Sequence, residues 1–225
     1  MRRPLVLLPV LALLASLVSL ANGNANFSSG PPASRTGAPA IGGVAQENLC
    51  TVCHSSFGAN DPNGSLQVLD LPAMYSPGAT YRMRVRLAST GNTAAPDRRW
   101  GFQLTAVQAS NGHGVGTFAV RGNQVGGVGG DTLRIVSGTG AYSTRRYVEH
   151  LYEGTQFQQP SPVEWSFDWT APASGAGTVY FFAAGNAADG SADPSGDWIY
   201  TTADSMIDIT TPTVVRSWGS LKLRR

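Results

Sequence analysis

Residues 163–169 read VEWSFDW. Val163, Trp165, Phe167 and Trp169 alternate with Glu164, Ser166 and Asp168. Side chains on a strand point to opposite faces in turn, so this period of two predicts a strand with one face in an aromatic core and one in water. The stretch YRMRVRL at 81–87 repeats the pattern: Tyr81, Met83, Val85 and Leu87 face inward, and Arg82, Arg84 and Arg86 lie on the wet face. Further strands are predicted in RWGFQLTAVQA, VGTFAV, TLRIV, RRYVEHLYE, GTVYFFAAGN, DWIYTT and SMIDIT, most of them separated by turns rich in Gly, Pro or Asn. No long segment carries a helical stripe. The fold class that follows is all-β, an antiparallel β-sandwich. A sandwich of roughly 150 residues buries enough apolar surface to stand without a disulfide.

Composition agrees. Charged residues make up 13% of the 225, and glycine is plentiful at 27, as expected of a turn-rich, weakly charged β protein. Arg2 and Arg3 precede an apolar run from Leu5 to Leu20, and small or polar residues follow. This is the pattern of a secretory signal peptide over residues 1–21; an uncleaved anchor is the other reading. No cysteine lies near its exit, so a lipoprotein is not expected. Without Arg2 and Arg3, fourteen basic residues face fourteen acids. A near-neutral exported chain gives no reason to expect nucleic acid as a partner.

Residues 22–46, rich in Gly, Ala, Ser, Asn and Pro, predict a flexible lead. Residues 47–64 hold the two cysteines of the chain in the pentapeptide CTVCH: Cys50, Cys53 and His54. Thiols at i and i+3 share a face of one helical turn, where both can add to the vinyl groups of a haem, and the next histidine can ligate its iron. C-x-x-C-H is the sequence mark of c-type haem attachment, and export suits it. Cys50 and Cys53 are therefore candidate thioether sites for one covalent haem c, and His54 is its candidate proximal ligand. Two other readings stay open. A thiol–disulfide redox centre would sit at a helix start in a βαβ setting, which this chain does not show. A short surface disulfide would remove little chain entropy.

The stretches YSPGATYRMRV, RRWGFQLTAV, YVEHLYEG, WSFDWTAPASGAGTVYFFAAGNAADG and GDWIYTT resemble the reelin N-terminal (Reeler) domain, above all its bacterial form, which often carries a C-x-x-C-H segment just before the sandwich. The resemblance covers about residues 38–202. It implies an immunoglobulin-like sandwich over residues 65–210 on an exported protein, and little about activity.

His150, in RRYVEHLYE, is the first candidate for the distal haem ligand. The family pattern tends to carry a histidine here even without the haem motif, so a structural role stands beside ligation. His113, on the Gly-rich loop SNGHGVG, and Met74, in a turn, are further candidates, while Met83 and Met206 read as core. Trp165, Phe167, Trp169, Tyr180, Phe181 and Phe182 read as core, with aromatics of the opposite parity available to cover a haem. Asn186, Asp189, Asp193 and Asp197 supply oxygens that could hold calcium, but the spacing fits no EF-hand, and a solvated acidic turn is the favoured reading. Residues 211–225 predict an edge strand or tail. The functional expectation is an exported monohaem protein with a Reeler-like domain, for electron transfer or haem-based binding, with a redox partner or extracellular protein as its counterpart. The alternatives are a non-enzymatic adhesion or matrix module, its two cysteines oxidised, and a thiol oxidoreductase.

Overall fold

The computed structural model describes residues 27–121, 132–173 and 175–210. The signal segment 1–21 and the tail 211–225 lie outside the described residues. Among the described residues, ten strands form two sheets. The smaller holds β1 (Gly64–Leu69), β3 (Thr80–Ser89), β8 (Val163–Thr170) and β5 (Thr117–Ala119), in the order β1-β3-β8-β5. The larger holds β2 (Met74–Tyr75), β10 (Trp198–Asp208), β9 (Thr178–Ala188), β4 (Arg99–Gln108), β7 (Arg146–His150) and β6 (Leu133–Ser137), in the order β2-β10-β9-β4-β7-β6. Every pairing is antiparallel except the two-residue contact of β2 with β10. The stretches DWIYTT and SMIDIT, read as two strands, are one continuous strand, β10.

The register of β3 on β8 sets Met83 opposite Phe167 and Val85 opposite Trp165, so the two period-two stretches bring their apolar faces together. Trp165, Phe167 and Trp169 pack there against Phe102, Phe118 and Phe181, with Phe102 and Trp165 ring centroids 4.7 Å apart. The outward arginines pair with acids on the same face: Arg84 with Asp70 and Glu164, and Arg82 with Asp168. Met83 and Met206 are core residues.

The larger sheet is buried on both faces along β4, where eight successive residues are enclosed. Trp100, Phe102, Leu104 and Ala106 face the main core; Gln103 and Val107, of opposite parity, face a second layer. That layer is the N-terminal segment, and the expectation of a flexible lead over 22–46 is corrected for its described part, residues 27–46. Ala38 packs with Val107 and Phe182, and Ile41 and Tyr180 join them. Buried polar bonds hold the segment down. Glu47 binds Arg145 at 2.6 Å and Tyr147 Oη at 2.6 Å, and accepts from Thr36 Oγ1 at 2.6 Å. Ser34 meets Tyr147 Oη at 3.0 Å, and Gln103 Nε2 donates to the Pro32 carbonyl at 3.1 Å. A small-residue stretch cannot make a core alone, but here it needs only to lie on a finished sheet and satisfy groups presented by β4 and β7. Tyr180 and Phe182, available on parity grounds to cover a haem, are the residues this segment covers.

The candidate haem cavity

The segment that follows positions the pentapeptide. A bridge between Thr36 and Leu49 ends the N-terminal layer, and Cys50–Val52 forms one 3-10 turn. The backbone N–H groups of Cys53 and His54 both donate to the Cys50 carbonyl. Downstream, Phe57 stacks on Trp198 with ring centroids 3.8 Å apart, and Asn60 bonds the backbone of Ile199 and Thr201. The motif is thus held at both ends against the larger sheet.

A cavity of about 590 Å³ opens beside it, within the range of roughly 300–1,000 Å³ typical of ligand sites. Cys50, Cys53, His54 and His150 all line it, together with the start of β4 from Arg99 to Phe102 and the end of β9 at Asn186 and Ala188. The loop carrying Asp193 and Asp197 closes one side. The structure therefore brings together four of the six residues read from the sequence as candidates for haem attachment or ligation. His113 is exposed on its loop and Met74 is 49% exposed on β2; neither lines the cavity.

His54 Nδ1 lies 2.6 Å from Asp197 Oδ2. Asp197 is almost fully buried, and its carboxylate also accepts from Asn186 Nδ2 at 3.1 Å and from the Asp189 N–H at 3.1 Å. A proton on Nδ1 serves this contact and leaves Nε2 with a free lone pair. The same carboxylate–histidine arrangement fixes the tautomer of metal-binding imidazoles. Of the acids considered for calcium, Asp197 is thus committed to His54, and Asp193 caps its own turn at the Ser195 N–H. Among the described residues no group of three or more His, Cys, Asp or Glu gathers as a metal cage.

His150 sits where β7 parts from β4. Pairing with β4 runs through Gln103↔Glu149, and at the next position the imidazole replaces the strand backbone. Phe102 N–H donates to His150 Nδ1 at 3.0 Å, and the Phe102 carbonyl lies 3.2 Å from the same nitrogen. One backbone residue thus offers a donor and an acceptor, and either tautomer is satisfied. Burial pushes the imidazole down to about 4, with the Phe102 contact opposing and Arg134 adding slightly. The ring is therefore neutral at physiological pH, the form that ligates metals. Gly101 makes room for it: a Cβ there would stand 2.5 Å from His150 Cε1.

Both cysteines are free thiols. Cys53 is exposed; Cys50 retains partial exposure, but burial pushes its thiol up to about 12, and Sγ faces the Arg35 carbonyl at 3.6 Å. A redox nucleophile needs a lowered thiol pKa from a cation or a helix N-terminus. At Cys50 burial does the reverse, with the backbone hydrogen bond and the Arg35 charge only partly opposing it.

No protein-family model matches the chain, and no curated protein matches its sequence. Among solved structures it is similar to the human F-spondin reeler domain, at 20% identity over 67% of this chain and 92% of that one, with a TM-score of 0.39. A structure of the Reelin-N domain of F-spondin compares at 19% identity over 70% and 96%, TM-score 0.39. The Actinomyces fimbrial adhesin FimA compares at 13% identity over 67% and 49%, TM-score 0.35. These likenesses assign no family and no activity; the sandwich stands on its own strand pairing.

Sequence reasoning had not singled out Arg99 or Gly101, and it had met Asn186 and Asp197 only as oxygen donors of a loop. Their place at the cavity is set by strand register, with Arg99 opposite Ala188 and Gly101 opposite Asn186. Only the need of a ligating histidine for a buried partner could have directed attention to an aspartate such as Asp197.

Proposed function

We propose that this chain is an exported, non-enzymatic binding module of β-sandwich build whose cavity carries one covalent haem c. The observation that carries this reading is the meeting of Cys50, Cys53, His54 and His150 around one cavity. The donor set suits the group: two thiols at thioether spacing, an imidazole whose Nδ1 is held by a carboxylate, and a second, neutral imidazole. The size of the cavity and its largely apolar lining suit a flat, greasy cofactor.

On this reading Cys50 and Cys53 hold the haem, His54 offers Nε2 to iron, and Asp197 keeps that imidazole oriented and electron-rich. His150, which lines the same cavity, would offer a second imidazole to the group, and its Phe102 contacts accept the tautomer that frees Nε2. When bound, the group would supply either one-electron transfer or small-ligand binding, and occupancy by His150 decides between them. The low dielectric around Cys50 does not oppose thioether formation, which removes the thiol altogether.

The second reading keeps the exported binding module and omits the haem, with Cys50 and Cys53 joined as a disulfide. It is favoured by the completeness of the sandwich, whose core and N-terminal layer are closed by protein groups alone. Co-expression with a haem-maturation system separates the two. Haem that stays with the polypeptide on a denaturing gel, and is lost in C50A/C53A, supports the first; a haem-free, exported, folded protein supports the second.

A further inference from the structure

Arg99 is the first residue of β4 and stands on the cavity wall. Its guanidinium lies between two aromatic rings, with Cζ 4.7 Å from the centroid of Tyr152 and 4.4 Å from that of Phe157. Nη1 donates to Thr155 Oγ1 at 2.8 Å and Nη2 to Tyr152 Oη at 3.0 Å. Both acceptors are neutral hydroxyls, and the rings hold the fork in place without discharging it. None of the ion pairs among the described residues includes Arg99. The two acids on the cavity wall are engaged elsewhere: Asp197 with His54, and Asp193 with the Ser195 N–H. Arg99 differs in this from several other arginines. Arg84, Arg134 and Arg145 each meet a carboxylate, and Arg98 is spent on backbone carbonyls.

We propose that Arg99 is the carboxylate-binding residue of this cavity, so that the occupant carries an acid group on an otherwise apolar body. A guanidinium fork matches a carboxylate in shape and charge, and charge-assisted hydrogen bonds are about twice as strong as neutral ones. The aromatic clamp fixes the fork before the ligand arrives, so little side-chain entropy is lost on binding. This rests on the haem reading, in which the acid groups are the propionates. It says which residue takes them, and it does so without reference to the thioether chemistry.

The test uses the full chain as C50A/C53A, prepared free of haem, titrated with ferric protoporphyrin and with its dimethyl ester. The acid should bind about tenfold or more tightly than the ester. In an added R99Q the acid should weaken to the level of the ester, and R99K should restore part of the preference. Equal affinity for acid and ester in the parent, or a preference that survives R99Q, overturns the assignment while leaving the haem reading intact. Binding of neither porphyrin also overturns the assignment, and the haem reading, whose attachment these substitutions remove, is then judged by covalent haem on the denaturing gel alone. The ester comparison on the parent needs no Arg99 variant, so equal affinity there overturns the assignment even where R99Q fails to fold, and R99K then ties a preference to this side chain.

Discussion

His54 Nδ1 and Asp197 Oδ2 stand 2.6 Å apart, joining the pentapeptide to the loop that opens β10. The contact gives a local motif a fixed direction. Asp197 is itself held by Asn186 Nδ2 and the Asp189 N–H, so the histidine is anchored through the end of β9. In haem-loaded protein, Asp197→Asn should leave the thioethers in place. It should shift the reduction potential upward and alter the visible spectrum, because a neutral partner draws less electron density into the ligand. Voltammetry with an optical titration would read this. An unchanged potential and spectrum would return Asp197 to a purely structural part.

Gly101 tests the place of His150. Its own backbone is ordinary, so Gly101→Ala acts through sterics alone: the new methyl meets the imidazole ring. The ring must leave Phe102 or the strands must part, at a cost of about 1–3 kcal/mol. Urea unfolding should show this loss, and in loaded protein the spectrum should change with it. Wild-type stability would mean that the ring has room to yield.

The buried imidazole also has a pH signature. In haem-free C50A/C53A protein, His150 sits at about 4 when folded, against an ordinary 6.5. The unfolded chain therefore takes up a proton at a pH where the folded chain does not. The stability involved is fully present above pH 6.5 and is lost as pH falls toward about 4, by up to about 3 kcal/mol. Glu149 acts with the opposite sign. Burial raises its carboxyl against the pull of Gln103 and Arg134, so its share declines as pH rises through the raised value. Comparing the pH slope of unfolding in the parent with that in His150→Gln isolates the imidazole. The variant should be flatter between pH 6.5 and pH 4, and an equal slope would refute the assignment.

Glu47 and Arg145 are both fully enclosed and carry the N-terminal layer. Glu47→Ala would strand a buried guanidinium and leave Thr36 and Tyr147 without their acceptor. The expected loss is about 3–5 kcal/mol. Hydrogen exchange should show residues 34–49 opening ahead of the sandwich. Intact protection over that stretch would show that the apolar contacts of Ala38 and Ile41 suffice.

The sandwich was legible because β3 and β8 alternate strictly, and alternation is a local property that one strand displays by itself. The N-terminal layer was not. Its composition is that of a linker, and its anchors, Glu47 to Arg145 and Ser34 to Tyr147, join residues far apart in sequence through polar atoms that leave no periodic trace. At the site, Cys50, Cys53 and His54 stood out because the C-x-x-C-H pattern is contiguous in sequence. His150 was readable only as a choice between two roles, and the structure gives it a backbone contact compatible with both. Arg99, Gly101 and Asp197 reach the cavity through pairing register and loop closure, which a residue pattern does not encode.

The central claim is that the cavity beside Cys50 and Cys53 holds a covalent haem. Its most direct test is the intact mass of the protein recovered from its native export route, taken with the optical spectrum of the same sample. The account predicts the mass of the polypeptide plus one haem, lost in C50A/C53A, with a haem spectrum that changes on reduction. A mass lower than the reduced chain by two hydrogens, with no haem absorption, would contradict it and leave a disulfide-closed binding module in its place.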